Sequence, residues 1–251
     1  MIKGSLQNKV CLITGSSRGI GAAIARAAAA EGAAVAVNYR SSQQQAELLV
    51  EELRDLGAQA LAVQADVGSS GEVEKLFISV EQALGPVALL VNNAGTSLRE
   101  LVTDTSDEQW ERVIKTNLKG PFLCCRRALP YMIRARWGRI VNIASIWGLL
   151  GASCESVYAA SKGGLILFTK SLAREVASCG VTVNALAPGP IGTDMLAEEL
   201  TVQECEELAE QVPVGRLGSP EDVAALCVFL LSSGANYING QVIPVDGGWT
   251  A

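Results

Sequence analysis

The stretch "VCLITGSSRGIGAAIARAAA", residues 10–29, decides the fold. It starts as a short apolar run, continues through a turn that contains Gly15, Gly19 and Gly21, and ends in an alanine-rich segment. This order predicts a strand, a tight turn and a helix, and glycines at such a turn let the backbone approach a pyrophosphate at the helix amino terminus. A glycine-rich turn alone is also typical of an ordinary strand–helix connection that needs positive φ. The strand–turn–helix context favours dinucleotide binding.

The rest of the chain repeats this alternation of strand and helix. Apolar runs typical of strands covered on both faces occur at 10–14, 33–39, 60–64, 87–93, 139–145, 181–187 and 241–247. Longer amphipathic stretches predict helices at 19–31, 42–56, 70–84, 106–135, 157–179 and 220–232. Such alternation implies a parallel sheet with right-handed crossovers. We therefore predict an α/β chain with a single domain over residues 1–251: a Rossmann-type doubly wound fold with a parallel seven-stranded sheet and helices on both faces.

Composition excludes several classes of function. The net charge of −6 argues against general binding to nucleic acid or to an anionic membrane. The chain has no histidine, which excludes imidazole metal sites and serine–histidine or cysteine–histidine nucleophile systems, and we expect no metal. The seven cysteines form no C-x-x-C pair and indicate buried free thiols. No apolar run is long enough to span a bilayer, so we expect a cytoplasmic protein.

The end of the second predicted strand bears on which dinucleotide binds. NAD sites place an acidic residue there for the ribose 2′-hydroxyl, whereas a 2′-phosphate needs positive charge. This strand ends with Tyr39 and Arg40, and the next acid is Glu47. Arg18, in the glycine turn, could close on the same phosphate with its planar guanidinium. Two solvated surface arginines are the ordinary alternative, but together with the missing acid they favour NADP(H).

The segment "SVYAASKGG", residues 156–164, could supply acid–base chemistry without histidine. Tyr158 and Lys162 lie four residues apart, so on a helix their side chains share one face. A nearby ammonium favours the phenolate form of a tyrosine, which is how such a pair could transfer protons near neutral pH. A lone Y-x-x-x-K on a helix is more often surface decoration.

Five segments together resemble the short-chain dehydrogenase/reductase superfamily: "TGSSRGIG" (14–21), "LLVNNAGTS" (89–97), "IVNIASIWG" (140–148), "YAASK" (158–162) and "NALAPGPIGTDM" (184–195). The resemblance extends over nearly the whole chain. It implies a catalytic tetrad of Asn117, Ser145, Tyr158 and Lys162. It also implies a set of residues that bind the cofactor: Thr14, Gly15, Ser17, Arg18, Gly19, Ile20, Gly21, Tyr39, Arg40, Asp66, Val67, Asn93, Ala94, Gly95, Tyr158, Lys162, Pro188, Gly189, Ile191 and Thr193.

The resemblance also implies a reaction, the NADPH-dependent reduction of a carbonyl. Ser145 would polarise the substrate carbonyl and Tyr158 would protonate the developing alkoxide. Lys162 would bind the nicotinamide ribose, and Asn117 would hold a water that replaces the proton. Within the family, Asp66 and Val67 match the adenine pocket, and the segment 188–193 matches the part that holds the carboxamide.

The carboxy-terminal half is most similar to the 3-oxoacyl-[acyl-carrier-protein] reductases of fatty-acid synthesis. Residues 126–139 contain five arginines and no acid, and Arg136 and Arg174 fall where that family carries arginines that dock the acidic carrier. Helix-end arginines that complement a helix dipole are an equally good interpretation of this cluster. Family resemblance also implies a homotetramer, through the predicted helices 106–135 and 157–179 and the apolar end 242–249.

One departure leaves the substrate open. Before the tyrosine those reductases usually carry Gln-Ala-Asn, whereas this chain has Glu155, Ser156 and Val157. Trp147 and Cys154, in the same region, also look particular to this chain. A sugar, a steroid or another small ketone is therefore an alternative substrate. A protein that binds NADP(H) as a sensor without turnover is a third interpretation, which the intact tetrad disfavours.

Overall fold

A computed structural model describes residues 4–194, 196 and 201–251. Its seven strands form one parallel sheet in the order β3-β2-β1-β4-β5-β6-β7. The strands are β1 Val10–Ile13, β2 Ala34–Tyr39, β3 Ala60–Gln64, β4 Val87–Asn92, β5 Gly138–Ile143, β6 Val181–Pro188 and β7 Val242–Val245. This confirms the predicted fold class.

Helices cover both faces of the sheet. They are α1 Gly19–Ala30, α2 Gln43–Asp55, α3 Ser70–Ala83, α4 Asp107–Ile114, α5 Gly120–Ala135, α6 Trp147–Leu150, α7 Ser156–Val176, α8 Val202–Gln211 and α9 Pro220–Leu231. A π-helical turn, Lys115–Lys119, joins α4 to α5, and short 3₁₀ turns lie at Ala177–Cys179 and Ser233–Ala235. Among the residues described, no helix combines the length and apolar character that crossing a bilayer requires.

The two faces of the sheet form two separate cores, as the consecutive apolar residues of its strands predict. In β1, Cys11 and Ile13 pack with α1, α2 and α9, whereas Val10 and Leu12 pack with α3, α5 and α7. All four residues are buried, because a strand covered on both faces has no solvent side. Burial at this level explains why the strand sequence is apolar throughout rather than alternating.

The predicted helix 106–135 is wrong as a continuous α-helix. The backbone N–H of Gly120 donates to the carbonyl of Lys115, five residues earlier, which is the hydrogen-bond pattern of a π-helix. Pro121 follows directly and has no N–H of its own, so the regular hydrogen-bond ladder cannot continue through this point. Sequence periodicity missed the interruption, and it also missed the short helix α6 and the polar helix α8.

The strand order reverses between β1 and β4, which lie side by side in the sheet. In a doubly wound sheet the crevice for a ligand lies beyond the carboxyl ends of the strands at this reversal. The topology therefore fixes where the functional site must be, before any side chain is considered.

Candidate active site

A cleft of about 690 Å³ runs across the carboxyl ends of the strands. Most of the residues predicted to bind the cofactor or to act in catalysis line it: Gly15, Ser17, Arg18, Gly19, Ile20, Tyr39, Arg40, Asp66, Val67, Asn93, Ala94, Gly95, Ser145, Tyr158, Lys162, Pro188, Gly189, Ile191 and Thr193. The remaining three, Thr14, Gly21 and Asn117, are buried behind its wall or in the helix beside it. The structure thus gathers residues from six strand ends into one site.

Thr14 fastens the glycine turn to the next strand. Its hydroxyl accepts hydrogen bonds from the backbone N–H groups of Asn93 and Ala94, both at 3.0 Å. Gly15 has a φ of 58°, and a Cβ on it would lie 2.8 Å from the Cα of Ala94. Only glycine permits this approach, so the turn and β4 meet without a side chain between them.

Asn93 and Gly21 hold the same turn from the other side. The Nδ2 of Asn93 donates to the carbonyls of Thr14 at 3.0 Å and Gly15 at 2.8 Å. A Cβ on Gly21 would lie 2.7 Å from the Gly15 carbonyl oxygen, so this glycine lets α1 pack directly on the turn. Thr14 and Gly21 therefore shape the turn, and neither lines the cleft.

The amino terminus of α1 fits a pyrophosphate. Residues 17–20 line the cleft there, no acidic residue lies in the first turn, and no side chain caps the helix. Free backbone N–H groups and the positive end of the helix dipole form a ready site for an anion. Because Gly15 keeps the turn free of a Cβ, the phosphates can reach these groups.

Two arginines face the adjoining part of the cleft, where β2 ends. Arg40 directly follows Tyr39, the last residue of the strand, and both line the cleft. The guanidinium of Arg18 lies 3.7 Å from the carboxylate of Asp194, in a pair whose side chains are about half exposed or more. An exposed pair of this kind is weak. Arg18 and Arg40 are therefore both placed to meet a 2′-phosphate.

Asp66 and Val67 line the cleft after β3, where the adenine is expected. Burial alone would raise the pKa of Asp66, but hydrogen bonds from Lys115 at 2.8 Å and from the Gly68 amide at 2.8 Å hold that pKa below its usual range. The carboxylate is thus anionic and fixed in position. Lys115 belongs to the π-helical turn, which links this pocket to the catalytic end.

Ser145 stands just beyond the end of β5 and is 7% exposed. Its Oγ accepts a hydrogen bond from the backbone N–H of Trp147 at 3.2 Å. A hydroxyl that accepts one hydrogen bond keeps its own proton, which it can donate to a substrate oxygen. The serine is therefore prepared as a donor.

Tyr158 and Lys162 lie on one face of α7, as the spacing predicts. The Nζ of Lys162 lies 5.7 Å from the centroid of the Tyr158 ring and donates to the carbonyl of Ile143 at 2.8 Å. Lys162 is only 4% exposed, and this burial lowers the pKa of its amine to about 8. The amine is still largely protonated at neutral pH, so it presents a positive charge beside the tyrosine.

Asn117 is fully buried in the π-helical turn and lies behind the cleft. Its Nδ2 donates to the Thr96 carbonyl at 2.9 Å and to Ser161 Oγ at 3.0 Å, and its Oδ1 accepts from the Thr96 N–H at 2.9 Å. A Cβ on Gly95 would lie 3.5 Å from both Asn117 Oδ1 and Lys162 Nζ. The absence of that Cβ leaves room between the two side chains.

Comparison with known proteins agrees with this geometry. Residues 15–250 match the family model described as "Enoyl-(Acyl carrier protein) reductase". The 3-oxoacyl-[acyl-carrier-protein] reductase FabG of Staphylococcus epidermidis is 44% identical over 96% of this chain and 98% of its own. The chain belongs to the short-chain dehydrogenase/reductase family. It is accordingly an oxidoreductase that acts on C=O and CH–OH groups.

Further members of the family show the same extent of similarity. FabG of Pseudomonas aeruginosa is 43% identical over 97% of this chain and 98% of its own, and the uncharacterized oxidoreductase YmfI of Bacillus subtilis is 40% identical over 96% and 99%. A crystal structure of a proposed gluconate dehydrogenase from Agrobacterium tumefaciens superposes with a TM-score of 0.93, at 36% identity, over 99% of this chain and 98% of that one. The similarity therefore extends over nearly the whole length of this chain and of each of these proteins.

Several residues that line the cleft escaped the sequence analysis. Asn38 accepts from the Gly15 N–H at 3.1 Å and donates to the Ala65 carbonyl at 3.1 Å, and so joins the glycine turn to β3. Asn38 lies inside an otherwise apolar strand. A polar residue at such a position is the feature of the sequence that could have marked it as part of the site. Sequence spacing also says nothing about the contacts of the other residues that line the cleft: Thr96, Ser97, Arg99, Thr116, Ala152, Ser153, Pro190, Leu196 and Leu208.

The five arginines of 126–139 do not form one basic patch. Arg127 pairs with Glu74 at 3.0 Å and Glu81 at 2.8 Å, and thereby ties α5 to α3. Arg139 is 3% exposed and stacks on the ring of Trp137, 4.5 Å from its centroid. These two arginines are structural, and ion pairs and ring stacking hold them rather than the helix-dipole contact that the sequence analysis gave as the alternative.

Lys162 gives the site a measurable pH dependence. Its folded pKa of about 8 lies below the ordinary lysine value, so between those two values the unfolded chain binds the proton and the folded chain does not. Stability contributed by this group therefore rises with pH. The free energy of unfolding of wild type, relative to Lys162→Met, should increase by roughly 2 kcal/mol between pH 7 and pH 9.5.

Urea denaturation of both proteins at the two pH values measures this difference. Lys170→Met is the matched control, because Lys170 lies on the same helix with its amine in solvent. If the difference in the free energy of unfolding between wild type and Lys162→Met is the same at both pH values, the amine of Lys162 is not buried in the folded protein.

Proposed function

We propose that the chain reduces a 3-oxoacyl group carried by acyl carrier protein to the 3-hydroxyacyl group, with NADPH, in fatty-acid synthesis in the cytoplasm. The observation that carries the proposal is one cleft with an anion site at the amino terminus of α1 and with Ser145, Tyr158 and Lys162 at its other end. The names of the S. epidermidis and P. aeruginosa relatives supply the substrate. All seven cysteines are free, which suits a reducing compartment.

Each residue of the catalytic end has a distinct task. The bound cofactor supplies a hydride to the carbonyl carbon. Ser145 donates its hydroxyl proton in a hydrogen bond to the carbonyl oxygen, and Tyr158 transfers its phenolic proton to that oxygen as negative charge develops. The ammonium of Lys162 stabilises the phenolate that remains.

Asn117 acts in this scheme through its backbone rather than its side chain. Both hydrogens of its side-chain amide are donated to Thr96 and Ser161. Pro121, four residues later, has no N–H to donate to the Asn117 carbonyl as an α-helix would require. That carbonyl is therefore the better candidate to hold a water that returns a proton to the site.

A small ketone that is not attached to a carrier remains the second candidate. Trp147 and Glu155 line the substrate end of the cleft, where the sequence departs from the reductase pattern. A sensor without turnover is disfavoured, because Ser145 and Lys162 are each held in a position that suits proton transfer.

Tyr158→Phe tests the assignment of the acid. The variant keeps the ring but loses the only proton it can transfer, so we expect kcat to fall by about 10²–10⁴-fold. NADPH affinity, measured by fluorescence titration, should stay within about twofold of wild type, since the anion site is distant. A variant that keeps most of the wild-type rate would remove Tyr158 from the mechanism.

Arg40→Asp tests the choice of cofactor. We expect wild type to prefer NADPH to NADH, and the variant to lose about tenfold or more of that preference in kcat/KM, because aspartate repels the 2′-phosphate. Arg18→Asp should also lower the preference, because Arg18 lines the same cleft. Equal efficiency of the wild type with both cofactors would contradict the proposal.

We further propose that the enzyme is a homotetramer that uses α5 and α7. Phe122 is 42% exposed on α5, and Leu167 is 66% exposed on α7, so both present apolar surface that a partner would cover. Light scattering at micromolar concentration should give about four times the mass of the 26.3 kDa chain. Phe122→Glu with Leu167→Glu should lower that mass, and a monomeric wild type would exclude the assembly.

Arg136 and Arg174 are the proposed carrier contacts, and both are exposed. Arg136 precedes β5, whereas Ser145 follows it, so the strand separates them by roughly 20 Å at ~3.3 Å per residue. Arg174 lies at the far end of α7 from Tyr158.

Charge reversal tests this contact. Arg136→Glu with Arg174→Glu should lower kcat/KM for carrier-bound 3-oxoacyl substrates by about tenfold at low salt, and the loss should shrink as salt rises. A short thioester without the carrier should be reduced at nearly the wild-type rate. Lys75→Glu with Arg112→Glu changes the net charge equally and is the control. Equal losses on both substrates would show that the arginines are structural.

A further inference from the structure

The substrate end of the cleft has an aromatic wall. Trp147 lines the cleft, and its backbone N–H donates to the hydroxyl of Ser145 at 3.2 Å, so the two residues are neighbours at the catalytic end. Leu196 and Leu208 line the same cleft. The indole and the two leucines add apolar surface to it.

Trp249 supports that indole from behind. The two indole rings meet edge to face, with centroids 6.0 Å apart and planes at 84°. This arrangement is one of the favoured geometries for aromatic pairs. Trp249 is not among the residues that line the cleft, so its effect on a bound molecule must pass through Trp147.

Trp249 is itself held by a closed turn at the carboxyl end of the chain. The carboxylate of Asp246 accepts hydrogen bonds from the backbone N–H groups of Gly248 and Thr250, both at 3.0 Å, and from the Thr250 hydroxyl at 2.6 Å. The backbone N–H of Trp249 donates to the Asp246 carbonyl at 3.2 Å. These bonds fix the position from which the second indole projects.

The same turn packs on two segments next to the cleft. The Gly189 N–H donates to the Val245 carbonyl at 3.0 Å, and the Val214 N–H donates to the Gly247 carbonyl at 3.2 Å. Val214 belongs to the segment that follows α8, the helix that brings Leu208 to the cleft. The turn therefore connects the predicted carboxamide segment, the segment after α8 and the aromatic wall.

We propose that Trp249 is a positioning residue that holds the Trp147 indole as an apolar subsite, and that this subsite selects ketones with an apolar acyl chain. The inference rests on the proposed ketone reduction and names its substrate class. Each methylene that moves from water onto such a surface favours binding by up to about fourfold. Sugar hydroxyls would instead lose hydrogen bonds to water that indole and leucine side chains largely cannot replace.

The test compares acetoacetyl and 3-oxooctanoyl thioesters of N-acetylcysteamine, with NADPH, on wild type, Trp249→Ala, Trp249→Phe and Trp147→Ala. In wild type the longer substrate should have the higher kcat/KM. We expect Trp249→Ala to lower the ratio of the two kcat/KM values by about three- to tenfold, mainly through KM, because the aromatic pair is lost. Trp249→Phe keeps an aromatic edge and should stay near wild type.

The double variant Trp147→Ala with Trp249→Ala separates positioning from general damage. If Trp249 acts through Trp147, removing it in the Trp147→Ala background should change the ratio no further. NADPH affinity should stay within about twofold of wild type in every variant that folds. If Trp249→Ala does not fold, Trp147→Ala alone must still lower the ratio.

Four results would overturn the inference. An unchanged ratio in Trp249→Ala, or an equal further loss in the Trp147→Ala background, would show that the two rings do not act together on the substrate. A ratio that rises would show that the indole blocks the chain rather than binding it. A wild type that reduces neither thioester would overturn the proposed function and this inference with it, whereas an active wild type with an unchanged ratio overturns the inference alone.

Discussion

Gly15 approaches the segment just beyond β4 too closely to carry a side chain, and the cleft depends on that contact. Thr14 accepts hydrogen bonds from the first two backbone N–H groups beyond β4, and a Cβ on Gly15 would lie 2.8 Å from Ala94. With the two strand ends joined this closely, α1 begins at the edge of the cleft with its amino terminus uncapped. The anion site and the catalytic end then face each other across the carboxyl edge of one sheet.

The catalytic end carries a second constraint, which is a positive charge kept out of water. Lys162 is almost fully buried and has one hydrogen bond to the Ile143 carbonyl, so its ammonium is poorly solvated and its pKa falls to about 8. A charge in such surroundings interacts more strongly with a neighbouring phenolate than a solvated one would. In the proposed mechanism, this charge is what lets a chain with no histidine use Tyr158 as a proton donor near neutral pH.

Much of this arrangement could be predicted from the sequence, because it follows from local chemistry. Apolar strands covered on both faces, the glycine turn and the four-residue spacing of Tyr158 and Lys162 all depend on neighbours in the chain. What could not be predicted depends on contacts between distant segments. Three features depend on residues that are distant in sequence and that periodicity cannot bring together. They are the interruption at Lys115–Lys119, the pairing of Trp147 with Trp249 and the burial of Arg139. The arginines of 126–139 are a further example. They look alike in the sequence, but Arg127 pairs with an acidic side chain whereas Arg139 stacks on an aromatic ring.

The central claim is that this cleft uses NADPH to reduce a 3-oxoacyl group through a tyrosine and a buried lysine. The most direct measurement follows the loss of reduced-nicotinamide absorbance when the purified wild type is given NADPH with a panel of 3-oxoacyl thioesters, sugars and steroids. The account predicts turnover of the thioesters at a kcat/KM at least about tenfold above that of any sugar or steroid, a margin of roughly 1.4 kcal/mol. Efficient oxidation of NADPH by a sugar or steroid, with the thioesters inert, would contradict it.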